Sequence, residues 1–266
     1  MYVYRYTYTL VSKNKIESMS IFKKLFGGEK AENEPQVDYS NFSILQKDDL
    51  KSFDDMVEQN AGLSFEKQML FGEVIGSSAW ELDMGKGSIF FGALEFPIQI
   101  IGSLAFNNNS WMWGWANTQS GMPENLLVQS IQLKEIGEKQ NVKELTDGHF
   151  NVDEGFEHKI GMMACGIFKS KSYYCANYGQ GTLVVTIDDS KIPEIDENKL
   201  ERVLTNFPQL INGIELNHKN AFINYLIDRN FKLKISENTI EGLKNNKVLV
   251  AEFDELDRLT ALNGKV

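Results

Sequence analysis

The stretch Asn109-Ser110-Trp111-Met112-Trp113-Gly114-Trp115-Ala116-Asn117 constrains this chain more than any other. Side chains along a strand alternate between faces, so an extended backbone here puts Trp111, Trp113 and Trp115 on one side. Met112, Gly114 and Ala116 then make the opposite side, slim enough for a helix or second layer to approach. So much aromatic area on one face must be covered or must itself bind something. In one reading the indoles pack a core roofed by helices, each N–H with a partner. In the other they floor a groove that stacks a ligand or a partner. Buried aromatics more often pack cores, which favours the first. The polar run Asn117 to Gly121 reads as a turn, and Pro123 suits the first turn of a helix.

The residues around this stretch place it in a sheet. From Asp48, apolar Leu50, Phe53, Met56 and Val57 recur at helical spacing, with Asp48 and Asp49 suited to the first turn. Gly62 is expected to break this helix and Ser64 to cap the next, which carries Phe65, Met69 and Leu70. After Gly76 the period becomes two. Trp80, Leu82 and Met84 alternate with Glu81 and Asp83, Gly85-Lys86-Gly87 is a turn, and Ser88 to Leu94 returns. A third strand runs from Phe96 to Phe106; Pro97, lacking an amide donor, belongs near its start or on an edge. The tryptophan stretch is then the fourth strand of an antiparallel meander. A helix from Pro123 to Gln140 and another begun by Asp153 precede a hairpin, Tyr173 to Ala176 and Thr182 to Ile187, around Gly179-Gln180-Gly181. The class is α+β: an antiparallel meander plus hairpin flanked by helices over residues 41–189.

A charged stretch with a proline, Asp188 to Glu194, marks the boundary to a smaller α+β C-terminal segment, residues 197–266. There Leu200, Val203, Leu204 and Phe207 predict a helix ending near Pro208. A second helix is expected from Asn217 to Arg229. Strands are expected at Phe231–Ile235 and Lys247–Phe253, with a third at Arg258–Leu262.

Residues 1–40 read as an extension and flexible linker. Tyr2, Tyr4, Tyr6 and Tyr8 alternate with Val3, Arg5, Thr7 and Thr9, and neither this pattern nor any small-residue site after it makes a signal peptide. Met19 opens Met-Ser-Ile-Phe-Lys-Lys-Leu-Phe-Gly-Gly, which reads as the true start of a cytosolic chain. Within it Ile21, Phe22, Lys23, Lys24, Leu25 and Phe26 combine an apolar side with two lysines. They are candidates for weak contact with an anionic membrane surface, in a segment too short to hold a membrane alone.

Composition narrows the chemistry. A formal net charge of −10 argues against a general nucleic-acid binder, which shows a basic face. No apolar run is long enough to span a bilayer. Cys165 and Cys175 form no C-x-x-C pair, and two buried thiols in a reduced cytoplasmic protein are the expectation, with a single disulfide as the alternative. His149 and His158 flank Asp153, Glu154 and Glu157, a set chemically suited to zinc. Those residues fit the solvated first turn of a helix better, and no H-E-x-x-H or paired-cysteine spacing supports a metal. Cys165 has apolar helical neighbours and no nucleophile motif. The two glycine clusters lack the context of a phosphate loop. The acidic run Glu252, Asp254, Glu255 and Asp257 reads as a solvated edge. No cofactor signature is present.

Four segments follow one another at short spacing: Trp80-Glu81-Leu82-Asp83, Gly87-Ser88-Ile89-Phe90-Phe91, Gln99-Ile100-Ile101-Gly102-Ser103, and Ser110 to Asn117. This series resembles the bacterial domain of unknown function 6882 family, and Asp153-Glu154 and Tyr173 to Ile187 are similar to its second half. The resemblance covers the first domain. It implies a shared fold and a bacterial origin, and it implies no reaction.

The absence of a catalytic constellation favours a non-catalytic binding or protein-interaction module, with an unknown protein or small ligand as partner. A toxin-neutralising immunity-type protein is one version by analogy. The alternatives are an enzyme with a pocket beside the tryptophan strand and a membrane-surface adaptor. The candidate ligand-binding residues are Trp80, Asp83, Gln99, Trp111, Trp113, Trp115 and Asn117. A pocket lined by the indoles would favour ligand binding, and indoles sealed beneath helices would remove that site.

Overall fold

Ser52 opens the first long helix. Its Oγ accepts the Asp55 amide (3.0 Å), and Asp54 and Asp55 place negative charge at the positive end of the helix dipole. This helix, α1 (Phe53–Ile75), continues through Gly62 instead of breaking there. A Cβ at Gly62 would lie 2.4 Å from Tyr225 Cβ, so glycine lets another helix cross closely. Ser64 is buried within the same helix and caps nothing. The chain is described by a computed structural model over residues 39–264. The Met19 start and the Ile21–Phe26 segment lie outside these residues. A short 3-10 helix, Tyr39–Asn41, belongs to a separate first unit, and the remainder forms one compact unit from Phe42 onward.

The expected meander is present: β1 (Trp80–Asp83), β2 (Ser88–Phe91), β3 (Leu94–Ala105) and β4 (Ser110–Trp113) pair antiparallel in that order. β5 (His149–Asn151) adds beside β4, and the hairpin β6 (Ser172–Asn177) and β7 (Gly181–Ile187) joins through β7 to β3. A register shift between Ile100 and Gly102 bends β3 along its pairing with β7. β4 ends at Trp113, earlier than alternation predicts. Gly114–Ala116 forms one turn of 3-10 helix, and the Asn117 amide reaches the carbonyls of Trp113 and Gly114 (3.2 Å each). Trp115 therefore leaves the strand and does not share a face by alternation with Trp111 and Trp113.

Helix α2 (Val128–Gln140) and the one-turn α3 (Lys143–Thr146) follow, then β5 and α4 (Phe156–Ile167). Beyond β7 come α5 (Glu201–Gly213) and α6 (His218–Asp228), the latter capped by Asn217 Oδ1, which accepts the Asn220 amide at 2.8 Å. α5 passes through Pro208 rather than stopping before it. Val203, Phe207 and Leu210 bury one face on both sides of the proline, and that burial holds the helix together. The strands β8 (Lys232–Ile235), β9 (Thr239–Lys244), β10 (Lys247–Phe253) and β11 (Leu259–Gly264) form a second antiparallel sheet ordered β11-β10-β9-β8. β9 has no apolar alternation to announce it; Glu241 pairs instead with Lys234 across the strands (2.6 Å).

Three cores result. Trp111 and Trp113 pack edge to face (centroids 5.4 Å apart) beneath Phe53, Met56, Ile160 and Leu145, which come from α1, α4 and α3. On another side Phe71 of α1 meets Phe91 and Phe96 edge-on. The third core joins Ala61, Met162 and Tyr173 to Val203, Phe207 and Phe222 of α5 and α6, and to Leu249 of the second sheet. α1 thus contributes to all three.

A candidate binding groove on the reverse face of the tryptophan strand

Because Trp111 and Trp113 face their core, Met112 faces the other way. It stands opposite Ser103 on β3, which in turn stands opposite Leu183 on β7, so the three form one cross-strand row. That row floors an open groove of about 420 Å³. Trp80 and Leu82 of β1 and Met84 just after it line it, as do Met122 and Pro123 from the loop before α2 and Tyr178 from the β6–β7 turn. Gly102 and Gly114 also border it. Gly102 has no room for a side chain: a Cβ would lie 2.4 Å from Trp111 Cζ2. At Gly114 the slim face admits a covering element as expected, since a Cβ there would lie 2.9 Å from Leu127 Cδ2 and 3.2 Å from Ser130 Oγ of α2, whereas beside Met112 the face is left open. β1, which contributes Trp80 and Leu82, is an edge strand of the sheet.

Of the residues expected at a ligand site, Trp80 and Asn117 line this groove. Trp111 and Trp113 are fully buried and closed off behind it. The Trp113 indole donates to the Glu144 carbonyl (2.9 Å), whereas the buried Trp111 Nε1 has no hydrogen-bond partner among the described residues. Trp115 is half-buried, with Lys134 Nζ 4.7 Å from its ring centroid. Gln99 fastens the approach to α2: its Nε2 donates to the Asn125 carbonyl (2.9 Å) and its Oε1 accepts the Gln129 amide (3.3 Å). Asp83 closes the β1–β2 turn by accepting the Lys86 amide (3.0 Å). Two of the expected residues, Trp111 and Trp113, lie on the face of β4 opposite the groove. Met112, Met84, Met122, Tyr178 and Leu183 were not foreseen, and the slim reverse face of the tryptophan stretch was the available signal.

The histidines and cysteines are also placed. His149 is exposed at β5, with Nε2 3.0 Å from Ser110 Oγ. His158 does not lie in a solvated first turn. It packs from α4 against Cys175 on β6, with Nδ1 3.6 Å from Sγ. Burial pushes the His158 pKa down, opposed by the Glu157 carboxylate, and pushes the Cys175 thiol well up. This is a neutral imidazole beside a neutral thiol, unlike the thiolate–imidazolium pair of a nucleophile. Burial likewise pushes the Cys165 thiol up to about 11. Among the described residues no three His, Cys, Asp or Glu side chains converge to hold a metal ion, and no helix is long and apolar enough to cross a membrane.

An α+β protein with helices packed on an antiparallel sheet, and an apolar groove left open on that sheet, is the class these features define. The chain belongs to the family of unknown function DUF6882, whose model matches residues 54–190. That span runs from the first turn of α1 to just beyond β7 and contains the whole groove. No curated protein and no solved structure matches the chain.

Proposed function

We propose that this chain is a non-catalytic binding module whose groove over Met112 receives apolar side chains of a protein partner. The observation that carries this reading is the chemistry of the lining. Trp80, Leu82, Met84, Met112, Met122 and Leu183 supply most of it, and its polar groups are those of Ser103, Asn117, Ser120 and Tyr178. The lining holds no carboxylate, imidazole, thiol or amine, the groups that most often transfer protons or attack substrates. Methionine side chains are unbranched and polarizable and adapt to differently shaped guests. The edge position of β1 favours a protein partner over a small molecule, since an extended segment can add to such a strand and seat alternate side chains in the adjoining groove.

Selection of displayed random peptides against the full chain tests this. Selected peptides are expected to carry an apolar or aromatic anchor and to bind Met112→Arg about tenfold or more weakly, the loss typical of a central anchor contact. Circular dichroism would verify that the variant folds. Failure to select anchored peptides, or equal binding to a folded Met112→Arg, would overturn the reading.

A further inference from the structure

A second, more polar cleft of about 640 Å³ opens away from the groove, bordered by α1, the end of α4, the stretch around Glu194–Glu197 and the end of α6. Its acidic residues are already paired. Asp228 holds Lys47 (2.7 Å), Glu197 holds Lys244 (2.7 Å), and Glu194 contacts Lys171. Two cationic side chains of the lining, Lys67 and Lys169, form no salt bridge among the described residues, although the charge of Lys67 also acts on Asp228. Lys67 Nζ donates to the Ser170 carbonyl (2.7 Å), which brings it beside the residue that follows Lys169. Lys67 Nζ and the exposed residue Lys169 therefore border the same part of the cleft.

Arg229 forms part of the wall. It lines the cleft and is fully buried. Its Nη1 pairs with Glu66, and its Nη2 donates to the carbonyls of Asp196, Glu197 and Lys199 at 3.0–3.3 Å. Its buried Nε–H has no partner among the described residues. Leu50, Leu63 and Ile167 add apolar surface to the same cleft.

We propose that this cleft binds a small organic anion, with its acidic group held by Lys67 and Lys169 and its body against Leu50, Leu63 and Ile167. A lysine ammonium serves phosphate or carboxylate as a point charge, so the two acids share the chemistry. The cleft's volume lies within the range of sites for molecules of metabolite size.

Phenyl phosphate and benzoate, with benzyl alcohol as the neutral counterpart, are suitable probes for calorimetry and amide chemical-shift mapping on the full chain. At least one of the two anions is expected to bind saturably and shift the amides of residues 166–170 and 194–197; the tighter one identifies the acidic group. Lys169→Glu changes an exposed side chain and is expected to weaken that binding about fivefold or more, as charge reversal beside an anion requires. Met112→Arg is expected to leave it unchanged, which separates this site from the groove. Absence of saturable binding by both anions, equal binding of benzyl alcohol, an unaltered affinity in Lys169→Glu, or a loss in Met112→Arg would overturn the proposal.

Discussion

The Cβ and Cγ atoms of Tyr225 occupy the space that a side chain on Gly62 would need, 2.4 and 2.5 Å from a Cβ built there. The Cβ cannot move aside without moving the α6 backbone. Gly62→Ala therefore sets two effects against each other. Removing a mid-helix glycine gains about 1 kcal/mol of helix propensity. Forcing α1 and α6 apart costs about 1–3 kcal/mol, or more where the blocking atom is near-backbone. The clash is expected to win, lowering the urea midpoint. A raised midpoint would show that the helices separate freely.

Glu66 and Arg229 form an ion pair with both side chains fully buried, at 2.6 Å, and the Tyr225 hydroxyl donates to the same carboxylate at 2.7 Å. Removing one partner strands the other charge. Arg229→Met is expected to lose about 3–5 kcal/mol and to free the carbonyls of residues 196, 197 and 199. The double variant Glu66→Leu/Arg229→Met is expected to lose less than the sum of the single changes, because no lone charge remains. Denaturant titration of the cycle measures this, and strict additivity would rule out the coupling.

The tryptophans differ in burial. Trp111→Ala is expected to destabilise by about 3–5 kcal/mol, as for a large aromatic removed from a closed core. Trp80 is only half-buried, so Trp80→Ala should cost less stability while weakening binding of groove-selected peptides. Parallel thermal melts and peptide titrations distinguish the two, and a larger stability loss at Trp80 would reverse the assignment.

Stability should fall as pH drops through the histidine range. Burial lowers the pKa of His158 against the opposing Glu157; it lowers that of His218 against Asp254, with Arg258 acting in the same direction as burial. In the unfolded chain both take up a proton near the ordinary value of about 6.5, whereas in the fold they do so only at lower pH. The unfolded state therefore binds more protons across that window, and acidification favours it. Urea midpoints measured from about pH 7.5 down to 5.5 should decline, and His158→Gln should flatten the decline. A pH-independent midpoint, or a His158 resonance titrating above the ordinary value, would contradict the burial argument.

Much of the fold was legible because its signals are local. The two-residue period after Gly76 and the turns at Gly85-Lys86-Gly87 and Gly179-Gln180-Gly181 fix strands and hairpins, since alternation on a pleated strand and tight turns involve only near neighbours. The Asn217 cap and the apolar spacing of Ala221, Phe222 and Tyr225 mark α6 in the same way. The failures share another cause. Gly62 and Pro208 are helix breakers by local preference, and packing overrides them. Trp115 continues the written alternation, but the backbone turns at Gly114. β9 depends on its neighbours on both sides.

By itself, the sequence determined that this chain builds an α+β unit around an antiparallel meander, with Trp111 and Trp113 on the face opposite Met112. Periodicity and turn chemistry suffice for that. Only the tertiary structure decided which face is covered. Helices α1, α3 and α4 close over the indoles, while the Met112 face stays open between β1, the loop before α2 and the Tyr178 turn. Alternation fixes the relation between two faces within one strand. Covering one of them takes residues distant in sequence, brought together when the chain folds.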